Sequence, residues 1–154
     1  MIYYDDLEIG KKSAFGRYEV TREEVLEFAH KYDPQPFHLD DAAAARTHFG
    51  RISASGWHTC AMTMSMMVAN MKDVKQAGLG SPGIDNLKWK KPVYPGDTLR
   101  VESEVIEKRR SKSRREMGIF KSHAKVFNQN DDVVMEMTSN GLIQVRNPEA
   151  PISE

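Results

Sequence analysis

The sequence predicts an α+β fold in which a curved antiparallel sheet wraps around one long buried central helix. Residues 56–71 are apolar or small on nearly every side, which is typical of a helix inside a protein. From residue 83 onward, strand-like segments alternate with turns, which is typical of an antiparallel sheet. The 154 residues suffice for one core, so we expect a single domain over residues 1–154.

The N-terminal part of the chain is expected to dock on this body and then to form a strand. Ile2, Tyr3 and Tyr4 are apolar or aromatic side chains that can be buried, and Gly10 allows a turn. Residues 13–20 alternate roughly between apolar and polar side chains, which predicts a strand.

A capping box predicts that the first helix begins at Arg22. Thr21 can accept a hydrogen bond from the Glu24 amide, and the Glu24 carboxylate can reach back to the Thr21 amide. Pro34 disfavours helical geometry at Asp33, so the helix is expected to end there. Apolar side chains at helical spacing are expected to share its buried face: Val25, Phe28, Ala29 and Tyr32.

The run Tyr-Asp-Pro-Gln-Pro-Phe-His, residues 32–38, brings an acid and a base five positions apart. Pro34 and Pro36 favour an extended, stiff backbone between Asp33 and His38. Two proton-transferring groups on a stiff turn can hold a water molecule, as general acid–base catalysis requires. The same run also fits a surface turn in which Asp33 caps a neighbouring group and His38 is solvated.

Two further helices are predicted after this run. Residues 40–46 have an acidic start and a basic end, which suits the helix dipole. The buried helix begins at Gly56, with Ser55 as its N-cap. Unpaired N–H groups at a buried helix N-terminus attract a negative oxygen, and a β-branched side chain at residue 56 is expected to crowd that site. At about 24 Å the helix is short for a membrane span, and polar residues interrupt it.

The remainder of the chain is predicted to form the sheet. Residues 73–81 have the composition of a mobile loop. The predicted strands are residues 83–91, 98–106, 116–128 and 133–145, and residues 130–132 have the composition of a hairpin turn. Between two strands, Lys108–Arg115 holds six basic residues in eight. This run fits a solvated hairpin tip that prevents edge aggregation, or a clamp for the phosphates of a ligand.

The amino-acid composition limits which binding partners and which cellular compartment we expect for the protein. The 22 basic and 22 acidic side chains balance, which gives no electrostatic argument for nucleic acid or a membrane as a partner. A single cysteine, Cys60, excludes an intramolecular disulfide and favours the reducing cytoplasm. The first residues lack the basic and apolar regions of a signal peptide.

Three stretches resemble the MaoC-like dehydratases, relatives of the (R)-specific enoyl-CoA hydratases with the hot-dog fold. They are Tyr-Asp-Pro-Gln-Pro-Phe-His-Leu-Asp (32–40), Ala-Ser-Gly-Trp-His (54–58) and Lys-Pro-Val-Tyr-Pro-Gly-Asp-Thr-Leu (91–99). The resemblance covers nearly the whole chain, in the same order. It implies a hydratase or dehydratase that acts across the C2–C3 bond of an acyl thioester, usually of coenzyme A. It also implies a homodimer whose two sheets join edge to edge.

The resemblance also implies roles for individual residues. His38 is expected to help deprotonate the attacking water, and Asp33 to orient that water and protonate C2. The Gly56 amide is expected to hold the developing enolate oxygen. The chemistry needs no metal or redox cofactor.

The chain departs from the family pattern in three places. Gln35 stands where many (R)-hydratases have Asn, Ser55 where they have His, and Ala61 where they have a Ser that supports the catalytic Asp. We expect Gln35, Ser55, Trp57 and His58 to contact the substrate. His58 also fits a satisfied histidine near a helix end, and Trp57 fits either the core or the pocket wall.

Other functions compete with this one. A hot-dog thioesterase usually carries an acid on the central helix, and residues 56–71 contain none. A non-catalytic acyl-CoA-binding module could use the same fold, with Asp33 and His38 as remnants. A metal site would need ligands at short spacing, whereas His38, His48 and His58 lie ten residues apart.

Overall fold

The computed structural model describes residues 1–152 and shows a five-stranded antiparallel sheet with four α-helices. The helices are α1 (Arg22–Tyr32), α2 (Pro36–Leu39), α3 (Asp41–Ala45) and α4 (Gly56–Asn70). The strands are β1 (Lys12–Glu19), β2 (Gly78–Trp89), β3 (Thr98–Arg110), β4 (Met117–Phe127) and β5 (Val133–Gln144). This is the predicted α+β class, with every predicted strand and helix present.

The sheet has the strand order β1-β3-β4-β5-β2 and packs one face on α4. β3, β4 and β5 pair through long hairpins, each with one shift of register, and Val101 lies opposite Val126 and Val126 opposite Met135. These three side chains are fully buried and pack with Met62 and Met66 of α4. Unbranched methionine side chains fill the irregular space between a helix and a curved sheet.

Helix α1 begins and ends as predicted, but fewer of its apolar side chains are buried than predicted. Thr21 caps it by accepting from the Glu24 amide, and Val25 and Ala29 are fully buried. Tyr32, however, is 63% exposed, and its ring lies against Phe28 and Lys31 of the same helix. The predicted reciprocal bond of the capping box is also replaced, since the Glu24 carboxylate points to other partners, described below.

The link between Asp33 and His38 is not extended throughout. Residues 36–39 form the short helix α2, with Pro36 in its first turn, where proline's missing N–H and fixed φ are tolerated. His38 is therefore on a helical turn and is buried, which excludes the solvated surface turn.

Helix α4 is buried on one side only, contrary to the prediction. Thr59, Met62 and Met66 face the sheet, whereas Trp57 is 61% exposed and is not part of the core. A single sheet covers only one side of a helix. The opposite side therefore presents an apolar stripe of Trp57, Met64 and Val68.

The N-terminal segment docks as predicted. Ile2, Tyr3 and Tyr4 pack around Leu7 and Ile143. The predicted loop at residues 73–81 is shorter, because β2 begins at Gly78 and pairs with β5 despite several bulges. The alternation of apolar and polar residues could not predict the early start of β2, because a bulged, glycine-rich strand has no alternating pattern.

The basic run lies at the end of the β3–β4 hairpin, and part of it binds the chain itself. Arg110 donates to the carbonyls of Pro148 and Ala150, and Arg115 donates to the carbonyl of Pro148. These two guanidinium groups therefore hold the C-terminal segment against the hairpin. Lys112 is exposed at the tip.

Candidate active site

Asp33 follows the last residue of α1, and residues close to it in the chain hold both its backbone and its carboxylate. Its backbone N–H donates to Ala29 O at 2.9 Å, which anchors it to the last helical turn. The Gln35 side chain donates from Nε2 to Asp33 Oδ1 at 2.6 Å. Gln35, predicted to contact the substrate, thus lies against the acid and orients it.

His38 faces the same point from α2. Its side chain is 6% exposed, and Nδ1 lies 2.7 Å from Ser53 O. A carbonyl oxygen only accepts hydrogen bonds, so Nδ1 carries the proton and donates. In the neutral imidazole, Nε2 is then a free acceptor. The ring packs against Phe37 and Phe49, which fix its plane.

The acid and the base are close but do not form a tight ion pair. His38 Nε2 lies 3.4 Å from Asp33 Oδ2. Partial burial raises the pKa of Asp33, but the hydrogen bond from Gln35, the dipole of the nearby Ser55 hydroxyl and the positive charge that His38 carries when protonated outweigh it, so this pKa lies below its ordinary value. Asp33 is therefore ionised at neutral pH, and Nε2 of His38, when it carries no proton, is a second acceptor beside it.

Two buried serines lie in the segment before α4: Ser53, whose carbonyl binds His38, and Ser55, whose hydroxyl lies near Asp33. Ser53 and Ser55 are each 1% exposed, and neither hydroxyl has a hydrogen-bond partner within residues 1–152. The alternate residues Ile52 and Ala54 pack in the core. Buried hydroxyls without a partner are uncommon in proteins, and those at functional sites often bind water or substrate. Ser55 does not cap α4 through its side chain.

The start of α4 places a free backbone donor next to the acid. Gly56 follows Ser55, the residue beside the Asp33 carboxylate. Within the described chain the Gly56 N–H has no acceptor, as expected in the first turn of a helix. A donor at a helix N-terminus favours a developing negative oxygen.

The need for glycine at residue 56 comes from a tryptophan that the sequence did not indicate. Trp89 of β2 donates from Nε1 to Gly56 O at 2.9 Å. A Cβ added to Gly56 would lie 2.5 Å from Trp89 Cε2. A larger side chain at residue 56 would therefore first collide with the Trp89 indole, and not with a bound thioester carbonyl. Trp57 packs edge-on against Trp89, with ring centroids 5.2 Å apart.

The first two stretches singled out in the sequence meet at this site, and the third joins the second where the Ala54 N–H donates to Val93 O at 2.8 Å. A family model described as a MaoC like domain matches residues 6–126, which is more than half of the chain. The chain belongs to the MaoC-like family.

Named relatives support the same membership. The 3-hydroxybutyryl-CoA dehydratase of Methylorubrum extorquens is 31% identical over 109 residues, which cover 70% of this chain and 66% of that protein. The (R)-specific enoyl-CoA hydratase of Aeromonas caviae is 31% identical over 107 residues, which cover 69% of this chain and 76% of that protein. The crystal structure of the MaoC-like dehydratase from Rhodospirillum rubrum matches with a TM-score of 0.88 and 36% identity, over 96% of this chain and 99% of that one.

The comparisons confirm the hot-dog fold of this MaoC-like chain, and they support hydration or dehydration of acyl-CoA thioesters. The site residues expected from the family pattern lie at the end of α1, in α2 and in the first turn of α4, where the His58 side chain points to Glu24 of α1. Ser53 and Trp89 were missed because a carbonyl acceptor and an indole from a distant strand leave no local sequence signal. Within residues 1–152 no group of three or more His, Cys, Asp or Glu side chains could hold a metal ion. In the same residues, no helix is long and apolar enough to cross a membrane.

Proposed function

We propose that this protein is a hydro-lyase that adds water to an enoyl-CoA or removes it from a 3-hydroxyacyl-CoA. The observation that carries this proposal is the pair formed by Asp33 Oδ2 and His38 Nε2, 3.4 Å apart beside the first turn of α4. Proton transfer between a bound water and a substrate carbon needs two such groups held before the substrate arrives. Membership of the MaoC-like family supports the reaction class.

The pair is suited to binding the water that reacts. With Asp33 ionised and His38 neutral, both facing atoms are acceptors. One water molecule donates an O–H to each, which leaves an oxygen lone pair directed at C3. The substrate's C2–C3 double bond then receives the oxygen at C3 while His38 takes one proton from the water.

The proton that His38 takes from the water completes the reaction when it reaches C2. The electron pair of the double bond moves onto the thioester oxygen and forms an enolate, to which the Gly56 N–H donates. Asp33 is ionised at rest, so the proton it gives to C2 is one that it receives from the His38 imidazolium. The sum is one water added, and dehydration follows the same steps in reverse. The transfers involve protons only, and we propose that the reaction needs no cofactor.

The remaining residues near the pair are proposed to bind the substrate. We assign Ser55 to a hydrogen bond with the reacting water or the 3-hydroxyl, because its hydroxyl is buried and free beside Asp33. Gln35 acts by orienting Asp33. Trp57, with Trp89, forms an apolar wall next to the Gly56 amide. His58 is assigned another role below.

We further propose that the protein is a homodimer and acts in the cytoplasm. The apolar stripe of α4 and the edge strand β2 lie on one side of the molecule, where Trp57 and Trp89 meet. An apolar patch beside an unpaired strand edge fits a second copy of the same chain. The single free cysteine, Cys60, fits a reducing compartment.

Loss of the conjugated thioester absorbance of crotonyl-CoA tests the proposed function, with Asp33→Asn and His38→Ala measured beside the natural protein. Each variant should lose about 10²–10⁴ in rate while keeping its circular dichroism spectrum. Exposed His30, replaced by Ala, is the control and should retain full turnover. Near-normal turnover in either site variant would contradict the roles. Absence of turnover on short, long, branched and dicarboxylic enoyl-CoAs would favour a non-catalytic acyl-CoA-binding module.

A further inference from the structure

A second group of polar side chains lies between β1, α1 and α4, and the proposed reaction does not use it. The Tyr18 hydroxyl of β1 donates to Glu24 Oε1 of α1, and His58 Nε2 of α4 lies 3.0 Å from the same oxygen. His58 is 3% exposed, although it was expected to reach the substrate. One carboxylate oxygen therefore joins three separate elements.

The surroundings of His58 hold its ring in one orientation. Phe28 of α1 stacks on it with centroids 4.6 Å apart and an interplanar angle of 5°. A groove of about 320 Å³ between α1 and α4 is lined by this polar group together with Phe28, Ala61 and Met62. Nδ1 is buried and has no partner within residues 1–152. The neutral form with the proton on Nε2 avoids burying an unpaired N–H, and that form donates to Glu24.

The ionisation states of Glu24 and Tyr18 favour these bonds at neutral pH. Partial burial raises the pKa of Glu24, but hydrogen bonds from Tyr18 and His58, and the positive charge that His58 carries when protonated, outweigh it, so this pKa is below its ordinary value. Burial and the bond to Glu24 raise the pKa of Tyr18 to about 12. At neutral pH, Glu24 is thus an ionised acceptor and Tyr18 a protonated donor.

The position of this group matters because the candidate site is divided between the same two helices. Asp33 ends α1, and Gly56 begins α4 two residues before His58. Within the described chain, the bond from His58 to Glu24 is the only hydrogen bond between α1 and α4. Apolar contacts between helices tolerate small sliding movements, whereas a directional bond fixes their relative shift and rotation.

We propose that Tyr18, Glu24 and His58 form a positioning cluster that sets the distance between the Gly56 amide and the Asp33–His38 pair. The inference rests on the proposed function, in which the amide and the pair act on one substrate. Its members touch neither the water nor the thioester. They act through the two helices, so their removal should affect the reacting geometry more than substrate affinity. Misplacement by about 1 Å can cost roughly 10² in rate.

Three variants at one position separate the bond from the charge. Glu24→Met removes the acceptor and should lower kcat at least about tenfold, with KM changed less than about threefold. Glu24→Gln keeps an oxygen that accepts from both Tyr18 and His58, so it should retain kcat within about threefold of the natural protein. Glu23→Met removes a neighbouring exposed acid of α1 and should leave turnover unchanged. Normal kcat in Glu24→Met overturns the proposal, as does an equal loss in Glu24→Gln.

If Glu24→Met does not fold, His58→Phe tests the same cluster. Phenylalanine keeps the stacking on Phe28 and buries no unpaired nitrogen, so the melting temperature should hold while kcat falls. Normal kcat in a folded His58→Phe protein would overturn the cluster's role.

A readout without turnover keeps this inference separate from the proposed function. The Gly56 amide resonance should move in Glu24→Met and stay in place in Glu24→Gln. If the natural protein turns over no enoyl-CoA, the proposed function fails, and the amide shift still decides whether the cluster positions α4. An unmoved Gly56 resonance in Glu24→Met overturns the inference.

Discussion

At the scale of single residues, the acid–base pair depends on side chains that hold it as much as on the two groups themselves. Gln35 fixes one carboxylate oxygen of Asp33 at 2.6 Å, and Ser53 O fixes the tautomer of His38 at 2.7 Å. The other oxygen of Asp33 and Nε2 of His38 are thereby left facing each other. Gln35 is the N-cap residue of α2 but makes no side-chain cap there, so its amide is free to donate to the acid.

Gln35→Leu should raise the pKa of Asp33, because it removes the strongest hydrogen bond that favours the ionised form. In the folded protein this pKa lies below the unfolded value. Asp33 therefore contributes stability above the unfolded pKa, and that contribution is lost as the pH falls through the folded pKa. The Asp33 carboxyl ¹³C resonance should titrate at higher pH in Gln35→Leu, and the difference in melting temperature from the natural protein should shrink at acid pH.

Gln144→Leu, an exposed change at the end of β5, is the matched control. It should leave the Asp33 titration unchanged. An unaltered Asp33 titration in Gln35→Leu would show that Ser55 and His38 alone set this pKa.

At the scale of elements, the site is an arrangement of ends: α1 ends at Asp33, α4 begins at Gly56, and β2 ends at Trp89. Trp89 lies over Gly56 and bonds its carbonyl, so the strand fixes the first turn of the helix. Such ends can present backbone groups to a substrate, which the middle of a helix or strand cannot do.

Gly56→Ala should reduce turnover more than stability. The added Cβ would lie 2.5 Å from Trp89 Cε2, and the indole, 45% exposed, can move outward at low cost. That movement displaces the apolar wall and the first turn of α4, so we expect kcat to fall by at least about tenfold with a small change in melting temperature.

The Trp89→Ala background tests the cause. If the indole is responsible, adding Gly56→Ala to Trp89→Ala should cost little further turnover. An equal cost in both backgrounds would mean that the methyl group obstructs the thioester directly.

At the scale of the whole molecule, the two sides of the sheet differ in what they can bind. The outer side carries charges opposite one another across strands, with Glu102 opposite Lys125 and Lys125 opposite Glu136. The other side carries α4, whose stripe of Trp57, Met64 and Val68 is at least 49% exposed. A second copy is therefore expected on the helix side, where burial removes apolar surface from water.

Sedimentation and light scattering should give twice the 17.5 kDa chain mass for the natural protein. Met64→Lys should shift the equilibrium toward the monomer, because it places a charge in the apolar stripe. Lys112→Glu at the hairpin tip reverses an exposed charge elsewhere and should keep the natural mass. A monomeric natural protein, or a Met64→Lys protein with unchanged mass at low concentration, would contradict this interface.

The sequence by itself determined most of the elements and the proximity of Asp33 and His38. The Thr21 cap, the stop at Pro34 and the apolar run after Gly56 depend on neighbours within a few residues, so their physical causes are visible in the order of the chain. The same holds for Asp33 and His38, which a short stiff link keeps together, although α2 was not anticipated within that link.

Only the tertiary structure decided which groups hold that pair in place. Glu24 was expected to complete a capping box, and instead its carboxylate binds Tyr18 and His58. Trp89 was one residue of a predicted strand, and it packs on Gly56, 33 positions away. Such contacts depend on how the sheet curves around α4, and that curvature brings together residues whose separation along the chain carries no periodic signal.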